Sequence, residues 1–199
     1  MNTKAAMARN LRLIPLHQAV AGSFVWLPIF VLFTRARFDL DGAILLASLY
    51  YLFVVLVEVP SGWLSDRFGR VLTLRLAAGA WTVAHLCFLV GDDRFVFILI
   101  GQFLMATGFA SLSGTDVSFH YDTLEALDRP ELFERRQARV AAVGYIATSV
   151  AVLAGGVLGL VSLRLPFAVA TVLALAQVAV TMFMSEPPRS VDPGEREPQ

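Results

Sequence analysis

The chain has 199 residues, of which 57% are apolar and 16% are charged, and its formal net charge is zero. Soluble domains carry about 25% charged residues, and disordered chains combine low hydropathy with high charge, so the composition argues against both. The balanced charge gives no sign of a nucleic-acid partner. The single cysteine, Cys87, excludes an intramolecular disulfide and any multi-cysteine metal site. The composition therefore indicates a membrane protein.

Six apolar runs are each long enough to cross a bilayer as a helix, which takes about 20 residues. Only two of the 32 charged side chains, Glu58 and Arg75, lie inside these runs. A soluble helical bundle would instead carry charges along the solvent face of every helix. We therefore predict an all-α membrane protein, whose six transmembrane spans cover residues 13–33, 43–64, 71–90, 95–115, 140–163 and 165–184.

The orientation follows from the basic residues in the two termini, in the short polar connections 34–42, 65–70, 91–94, 116–139 and the turn at 164, and from Arg75 near the 65–70 turn. Twelve lysines and arginines lie on the side of the termini and four on the other side. Because basic loops stay cytoplasmic, we expect a cell (inner) membrane protein with both termini in the cytoplasm. Residues 1–12 are then a cytoplasmic N-terminus and 13–185 the six-helix bundle. The proline-containing residues 186–199 are predicted to be a disordered tail or the beginning of a linker.

The most informative motif lies in the connection between the second and third runs. Gly62 allows a neighbouring helix to approach closely, and Gly69 can adopt a positive φ in the turn. Asp66 can accept hydrogen bonds from N–H groups at a helix N-terminus. Arg67 and Arg70 can pair with carboxylates or lie among lipid headgroups. These residue types fit a tight charged turn between two membrane helices.

This connection resembles the signature G-x-x-x-D-R-x-G-R that the major facilitator superfamily carries between its second and third helices. The matching residues are Gly62, Asp66, Arg67, Gly69 and Arg70. Residues 113–124 are similar to the pattern S-G-x-D-x-x-x-x-Y-D-x-L at the cytoplasmic end of the fourth helix in drug-efflux-like bacterial members. The resemblance covers residues 11 to about 190.

The resemblance implies the fold and function of half a family transporter. Two inverted three-helix repeats would cover 11–94 and 95–185. The activity implied is secondary active transport, with efflux of small organic molecules driven by an ion gradient. Because such transporters bind substrate between two six-helix halves, a second half is expected from a homodimer or a partner chain. The motif residues would latch the cytoplasmic side in one conformation.

Two features depart from the family pattern. Many members carry an arginine in the fourth helix that is linked to proton coupling, and the aligned residue here is Gln102. The fifth helix is rich in glycine but lacks the Gly-Pro pair typical of antiporters. The sequence therefore does not assign a coupling ion.

Gating or coupling candidates lie near the cytoplasmic ends of two spans. Glu58, the only acidic residue inside a span, could pair with the Arg67 and Arg70 side chains or carry a proton. Asp116 and His120 are one helical turn apart and could pair. With Tyr121 and Asp122 they form the richest polar cluster, for which gating or docking of the 116–139 connection is favoured over substrate contact. No second histidine follows four residues after His120, so no metal site is expected.

Candidate cavity residues are polar-tipped or aromatic side chains within the spans: His17, Gln18, Trp26, Tyr50, Tyr51 and Gln102. The alternative for His17, Gln18 and Trp26 is a position at the interface or in packing. Trp81, His85 and Phe88 share one helical face and are expected to pack. The run of Gly155, Gly156 and Gly159 favours close helix packing.

Catalytic and cofactor motifs are absent from the sequence: there is no G-x-S-x-G, H-E-x-x-H, Walker lysine motif or G-x-G-x-x-G. We therefore expect no enzyme activity, no cofactor and no metal. The alternative to a transporter half is a non-transporting fragment or an accessory membrane subunit, which the lack of an acidic residue at mid-membrane favours. The other expected partners are the lipid bilayer and a small-molecule substrate.

Overall fold

The computed structural model describes residues 3–188, and the described residues are all in helices, turns or short connections. The predictions for residues 1–2 and for 189–199, most of the proposed tail, lie outside this range. The helices are α1 (Thr3–Ala21), α2 (Phe30–Arg35), α3 (Leu40–Phe68), α4 (Arg70–Val90), α5 (Phe95–Leu112), α6 (Thr115–Glu125), α7 (Phe133–Val161) and α8 (Leu165–Met182), with short 3₁₀ helices at Leu27–Ile29 and Pro130–Leu132.

The first apolar run, predicted as one span over 13–33, is divided. Helix α1 ends at Ala21, and the chain continues through a non-helical segment into the 3₁₀ helix and α2. At the break, Gly22 lies close to the Gly144 carbonyl, and the Thr148 hydroxyl donates to the Gly22 carbonyl at 2.6 Å. Such side-chain partners satisfy backbone groups that an interrupted membrane helix exposes. Pro28 follows at the start of the 3₁₀ helix, where its missing N–H is tolerated.

Five helical segments of residues 3–188 are long and apolar enough to cross a membrane: Leu40–Phe68, Arg70–Val90, Phe95–Glu125, Pro130–Val161 and Leu165–Met182. They correspond to the second to sixth predicted runs. The divided first run does not meet the same length and hydropathy criteria, so the six-span count is not confirmed. Helix α3 begins before its predicted span because Asp39 caps it, accepting from the Gly42 N–H at 2.8 Å.

Most of the predicted connection over 116–139 is helical. Helix α6 begins at Thr115, immediately after Gly114, whose φ of +77° interrupts the helical backbone between α5 and α6. Helix α7 begins at Phe133, within the predicted connection. The density of charge in this segment suggests a connection, but charged residues are also compatible with a helix that leaves the apolar layer.

Helix α4 lies at the centre of the bundle, with α5 and α8 packed against it. Glycines on α5 make room for its aromatic side chains: a Cβ atom on Gly101 would lie 2.6 Å from the Phe88 ring, and one on Gly108 would lie 2.3 Å from the Trp81 ring. The shared aromatic face predicted for α4 is therefore buried in the interior, as expected for a packing role. In a bilayer, membrane helices associate mainly through van der Waals packing. Small residues strengthen this packing because they let two helices approach closely.

Helix α7 packs against the divided first run through the predicted glycine stripe. A Cβ atom on Gly155 would lie 1.8 Å from the Val25 carbonyl oxygen, and one on Gly159 would lie 2.4 Å from the Ile29 side chain. At the remaining member, Gly156, an added Cβ atom would meet no other atom within 4 Å. The stripe thus consists of two contact glycines, spaced one turn apart, and one glycine on the open side of the helix.

Candidate functional site

The charged turn between α3 and α4 is organised around Arg70. Its Nη1 donates to Asp66 Oδ1 at 2.6 Å and to the Ser65 hydroxyl at 2.9 Å. Its Nε lies 3.4 Å from Asp122 Oδ2, so Arg70 joins the end of α3 to α6. The Thr115 hydroxyl reaches Ser65 at 3.2 Å and adds a second contact between the same elements. Two motif residues predicted from the sequence are therefore in contact, and Asp122 from the second motif joins them.

Glycine at position 69 meets two requirements at once. Gly69 has a φ of +108°, which residues with a side chain rarely adopt. A Cβ atom here would also lie 2.7 Å from the carboxyl carbon of Glu186. The Glu186 carboxylate accepts from the N–H groups of Arg70 at 2.7 Å and Val71 at 2.8 Å. A carboxylate at this position satisfies two free N–H groups and the positive end of the α4 dipole.

The segment that carries Glu186 is held in place by α1 and α4. The Asn10 side chain is fully buried, donates to the Ser185 carbonyl at 2.7 Å and accepts from the Ser185 N–H at 3.0 Å. The Arg75 guanidinium donates to the carbonyls of Thr181 and Met184 at the end of α8. Arg75 is therefore structural, and Glu186, which the sequence places in the predicted tail, is ordered against α4.

The remaining motif residues lie on the surface of the turn. The Arg67 guanidinium is 5.5 Å from the Trp63 ring and 6.0 Å from the Phe68 ring, a range in which cations interact with aromatic faces. Gly62 is exposed and has no atom within 4 Å of a Cβ position. The close helix approach that Gly62 would allow is therefore not used within residues 3–188.

Glu58 lies on the same exposed side of α3. It takes part in none of the ion pairs among residues 3–188, so the expected pairing with the Arg67 and Arg70 side chains is not formed. Apolar neighbours surround it on this face: Tyr51 is 70% exposed and Val59 is 79% exposed. An unpaired carboxylate inside an apolar membrane helix is expensive against lipid and marks a functional or contact position.

Asp116 and His120 do not pair with each other, contrary to the sequence prediction. The His120 Nδ1 lies 2.7 Å from Gln137 Oε1, and since this oxygen is an acceptor, Nδ1 is the donor. The ring of Phe133 packs against the rings of His120 and Tyr121 at 5.6 Å and 5.3 Å. These contacts fix α6 to the start of α7. Gating or docking by this cluster stays a prediction.

A cavity of about 270 Å³ opens between α1, α4, α5 and α7. Its polar lining side chains are Gln18, Ser113, Asp116, Tyr145 and Thr148. The wall is otherwise apolar and includes the rings of Phe24, Trp81 and Phe109. Gln18 is a predicted cavity residue, whereas the sequence favours gating for Asp116 and does not single out Tyr145. The Asp116 Oδ1 accepts from the Val117 N–H at 2.8 Å, and the carboxylate takes part in no ion pair within residues 3–188.

The other predicted cavity residues lie elsewhere. His17 is buried and accepts at Nε2 from the Gln177 amide at 3.3 Å, and Trp26 packs edge-on to Phe30. Gln102 is buried and donates to the Leu46 carbonyl at 3.5 Å, which joins α5 to α3. Helical spacing shows which residues share a face, but it does not show which neighbour each face meets.

Tyr50 and Tyr51 contact each other at 5.2 Å between ring centroids, and neither lines this cavity. Within residues 3–188, no cluster of three or more histidine, cysteine, aspartate or glutamate side chains could hold a metal ion.

The bundle of apolar helices, the charged turn and the cavity define a membrane protein of the transporter type. The family model of the Major Facilitator Superfamily matches residues 17–199, so the chain belongs to the major facilitator superfamily. Neither the curated proteins nor the solved structures compared with the chain give a match. Members of this family are transporters rather than enzymes, and the chain is therefore a multi-pass membrane protein with a transporter-type function.

Proposed function

We propose that the chain is one half of a secondary active transporter that exports small organic molecules, driven by an ion gradient. The observation that carries this proposal is the cavity between α1, α4, α5 and α7. Its mixture of aromatic walls with a few polar groups is typical of small-molecule sites. At about 270 Å³ it lies just below the 300–1,000 Å³ of complete ligand pockets. A facing half would complete it.

The exposed faces of α3 and α7 support the need for a second six-helix bundle. Helix α3 is the least buried of the membrane-length helices, and its open face carries Glu58 and Gly62. A glycine with open space and a carboxylate without a partner are both explained by a close helix from another bundle. On α7, Tyr145 lines the cavity and is 75% exposed, so the same partner would cover it. We propose a second copy of this chain as that partner, and a distinct chain as the alternative.

The turn at 65–70 supports a conformational role at one face of the membrane. Asp66 is 72% exposed although it bonds to Arg70, so one side of its carboxylate faces outward. A helix N-terminus of the second bundle could bind there. In alternating access one bundle rocks against the other, and this contact would form in one state and break in the other. On the lysine and arginine distribution, we place this turn and both termini in the cytoplasm.

The divided first run completes the proposed count of six spans, in two inverted repeats over 11–94 and 95–185. Interrupted helices are typical of transporters at their binding sites. Here the break at Gly22 lies in the cavity lining. The non-helical backbone at this break therefore lines a cavity. Membrane proteins tolerate irregular backbone at such positions because it is not exposed to lipid.

Reconstitution into vesicles tests the proposal. The purified chain is inserted into liposomes with an imposed proton or sodium gradient, and efflux of the fluorescent organic cation ethidium is followed. Transport above that of empty vesicles, with loss of the gradient abolishing it, supports a half-transporter. A strictly monomeric chain that moves no substrate under either gradient would contradict it and favour the accessory-subunit alternative.

A further inference from the structure

A second cavity, independent of the one assigned to transport, lies beside the N-terminal part of α1. It has a volume of about 520 Å³. Four of its lining residues are basic and come from three parts of the chain: Lys4 and Arg12 on α1, Arg129 before the second 3₁₀ helix, and Arg136 on α7. None of its lining residues is acidic. A concave site lined by one sign of charge concentrates the opposite charge.

The charges in this cavity are only partly compensated by the protein. Lys4 pairs with Asp128 at 3.4 Å. Arg12 and Arg129 are exposed and take part in no ion pair among residues 3–188. Arg136 is fixed by a bond from Nη2 to the Leu11 carbonyl at 3.3 Å, while its Nε is buried without a hydrogen-bond partner in the described part of the chain. The bond to Leu11 holds the Arg136 guanidinium at the cavity wall, and guanidinium groups bind oxyanions strongly.

The position of the cavity identifies the kind of anion. Arg12 immediately precedes the first apolar run, and Arg136 lies one turn before the fifth run, so the cavity is at the boundary between apolar core and headgroups. The rest of its wall is apolar and consists of Ala8, Leu11 and Leu127. Basic pockets between membrane helices bind phospholipid headgroups. We propose that this cavity binds the phosphate group of an anionic phospholipid.

Native mass spectrometry of the full chain in detergent tests the proposal. Phosphatidylglycerol is titrated against the wild type and against the double variant Arg12→Gln, Arg129→Gln. A control double variant, Arg35→Gln and Arg94→Gln, removes the same charge at exposed sites outside this cavity. A basic residue that contacts the headgroup contributes about fivefold to anionic lipid binding, so the cavity variant should lose about tenfold or more. Arg35 and Arg94 do not line this cavity, so the control should lose less than about twofold.

Three results would overturn the proposal: unchanged binding in the cavity variant, an equal loss in the control variant, or equal retention of phosphatidylcholine and phosphatidylglycerol by the wild type. Inorganic phosphate is added as a competitor to distinguish the source of the group. If millimolar phosphate displaces phosphatidylglycerol, the site recognises phosphate itself and a soluble phosphate also fits. If phosphate does not displace it, the apolar wall and the acyl chains contribute, and the ligand is the lipid.

Discussion

Glu186 and Gly69 are in contact at the junction between the end of α3 and the start of α4. The carboxylate of Glu186 occupies the space that a side chain at position 69 would need, and from there it accepts from two N–H groups of α4. The contact joins the end of α8 to the signature turn across more than 100 residues of sequence. The turn is therefore stabilised by the far end of the bundle as well as by its own ion pairs.

The first prediction concerns Gly69→Ala. The substitution adds strain from the positive φ and a clash with Glu186, so it should destabilise the bundle by roughly 1–3 kcal/mol. The thermal unfolding midpoint of the purified chain in detergent measures this effect. Gly79→Ala is the matched control, because position 79 lies within α4 and an added Cβ atom there would meet no other atom within 4 Å. It should leave the midpoint unchanged or raise it, since alanine favours helix over glycine. A larger loss for Gly79→Ala than for Gly69→Ala would contradict the strain assigned to position 69.

The second prediction compares Gly155→Ala with Gly156→Ala. A methyl group at 155 would overlap the Val25 backbone, and backbone cannot be displaced as easily as a flexible side chain. We expect a loss of about 3 kcal/mol or more from overpacking, measured by thermal unfolding in detergent. The neighbouring variant adds the same atoms on the open side of α7 and should be close to neutral. Equal midpoints for the two variants would show that α7 does not pack on the divided first run as described.

The fold class can be predicted from the sequence because the thickness of the bilayer fixes the length of each membrane helix and its apolar core excludes charged side chains. The second to sixth runs reappear as membrane-length helices, and the family resemblance is confirmed by the match over 17–199. Charge gives no sign of the break at Gly22, because the run 13–33 carries none, and Gly22 and Pro28 are its local signals. The residues that contact the interrupted segment, Thr148 and Gly155, come from a helix more than 100 residues away.

The site is harder to predict for the same reason. The residues of the signature turn are correctly placed together by the sequence, because they are close along the chain. The contacts of Glu186 and Asn10 could not be predicted from the sequence. No local pattern marks a side chain that hydrogen-bonds to a segment far away along the chain. Helical spacing alone pairs Asp116 with His120, whereas the tertiary structure directs His120 to Gln137 and leaves Asp116 at the cavity.

The third prediction separates stability from transport at the signature turn. Arg70→Gln removes contacts to three side chains and should destabilise by about 1–3 kcal/mol. Asp66→Asn alters a mostly exposed pair and should cost less than about 1 kcal/mol, yet it should reduce ethidium efflux strongly if the turn is a latch. Unfolding midpoints and vesicle efflux are measured on the same preparations. Full transport by Asp66→Asn would contradict the latch while leaving the rest of the account intact.

The fourth prediction fills the proposed substrate cavity. Ala141 lines the cavity between Gln18 and Tyr145, and Ala141→Phe should occupy part of its volume. We expect the variant to fold but to lose most of its ethidium efflux. A loss of about 1.4 kcal/mol in the free energy of ethidium binding corresponds to a tenfold lower affinity, so efflux should fall by about tenfold or more. Ala142→Phe is the control, because this neighbouring residue is exposed and outside the cavity lining. Equal efflux in both variants would move the substrate site elsewhere.

If the open face of α3 meets a second bundle, as proposed, cysteines on that face of two copies should crosslink in the membrane. In a Cys87→Ser background, single cysteines are placed at Val55 and Val59 on α3 and at Val172 and Leu175 on the exposed side of α8. A short bifunctional maleimide is then added to intact membranes. We expect an adduct of two copies for the α3 cysteines, in several-fold greater yield than for the α8 cysteines. Equal or absent crosslinking at both helices would contradict it.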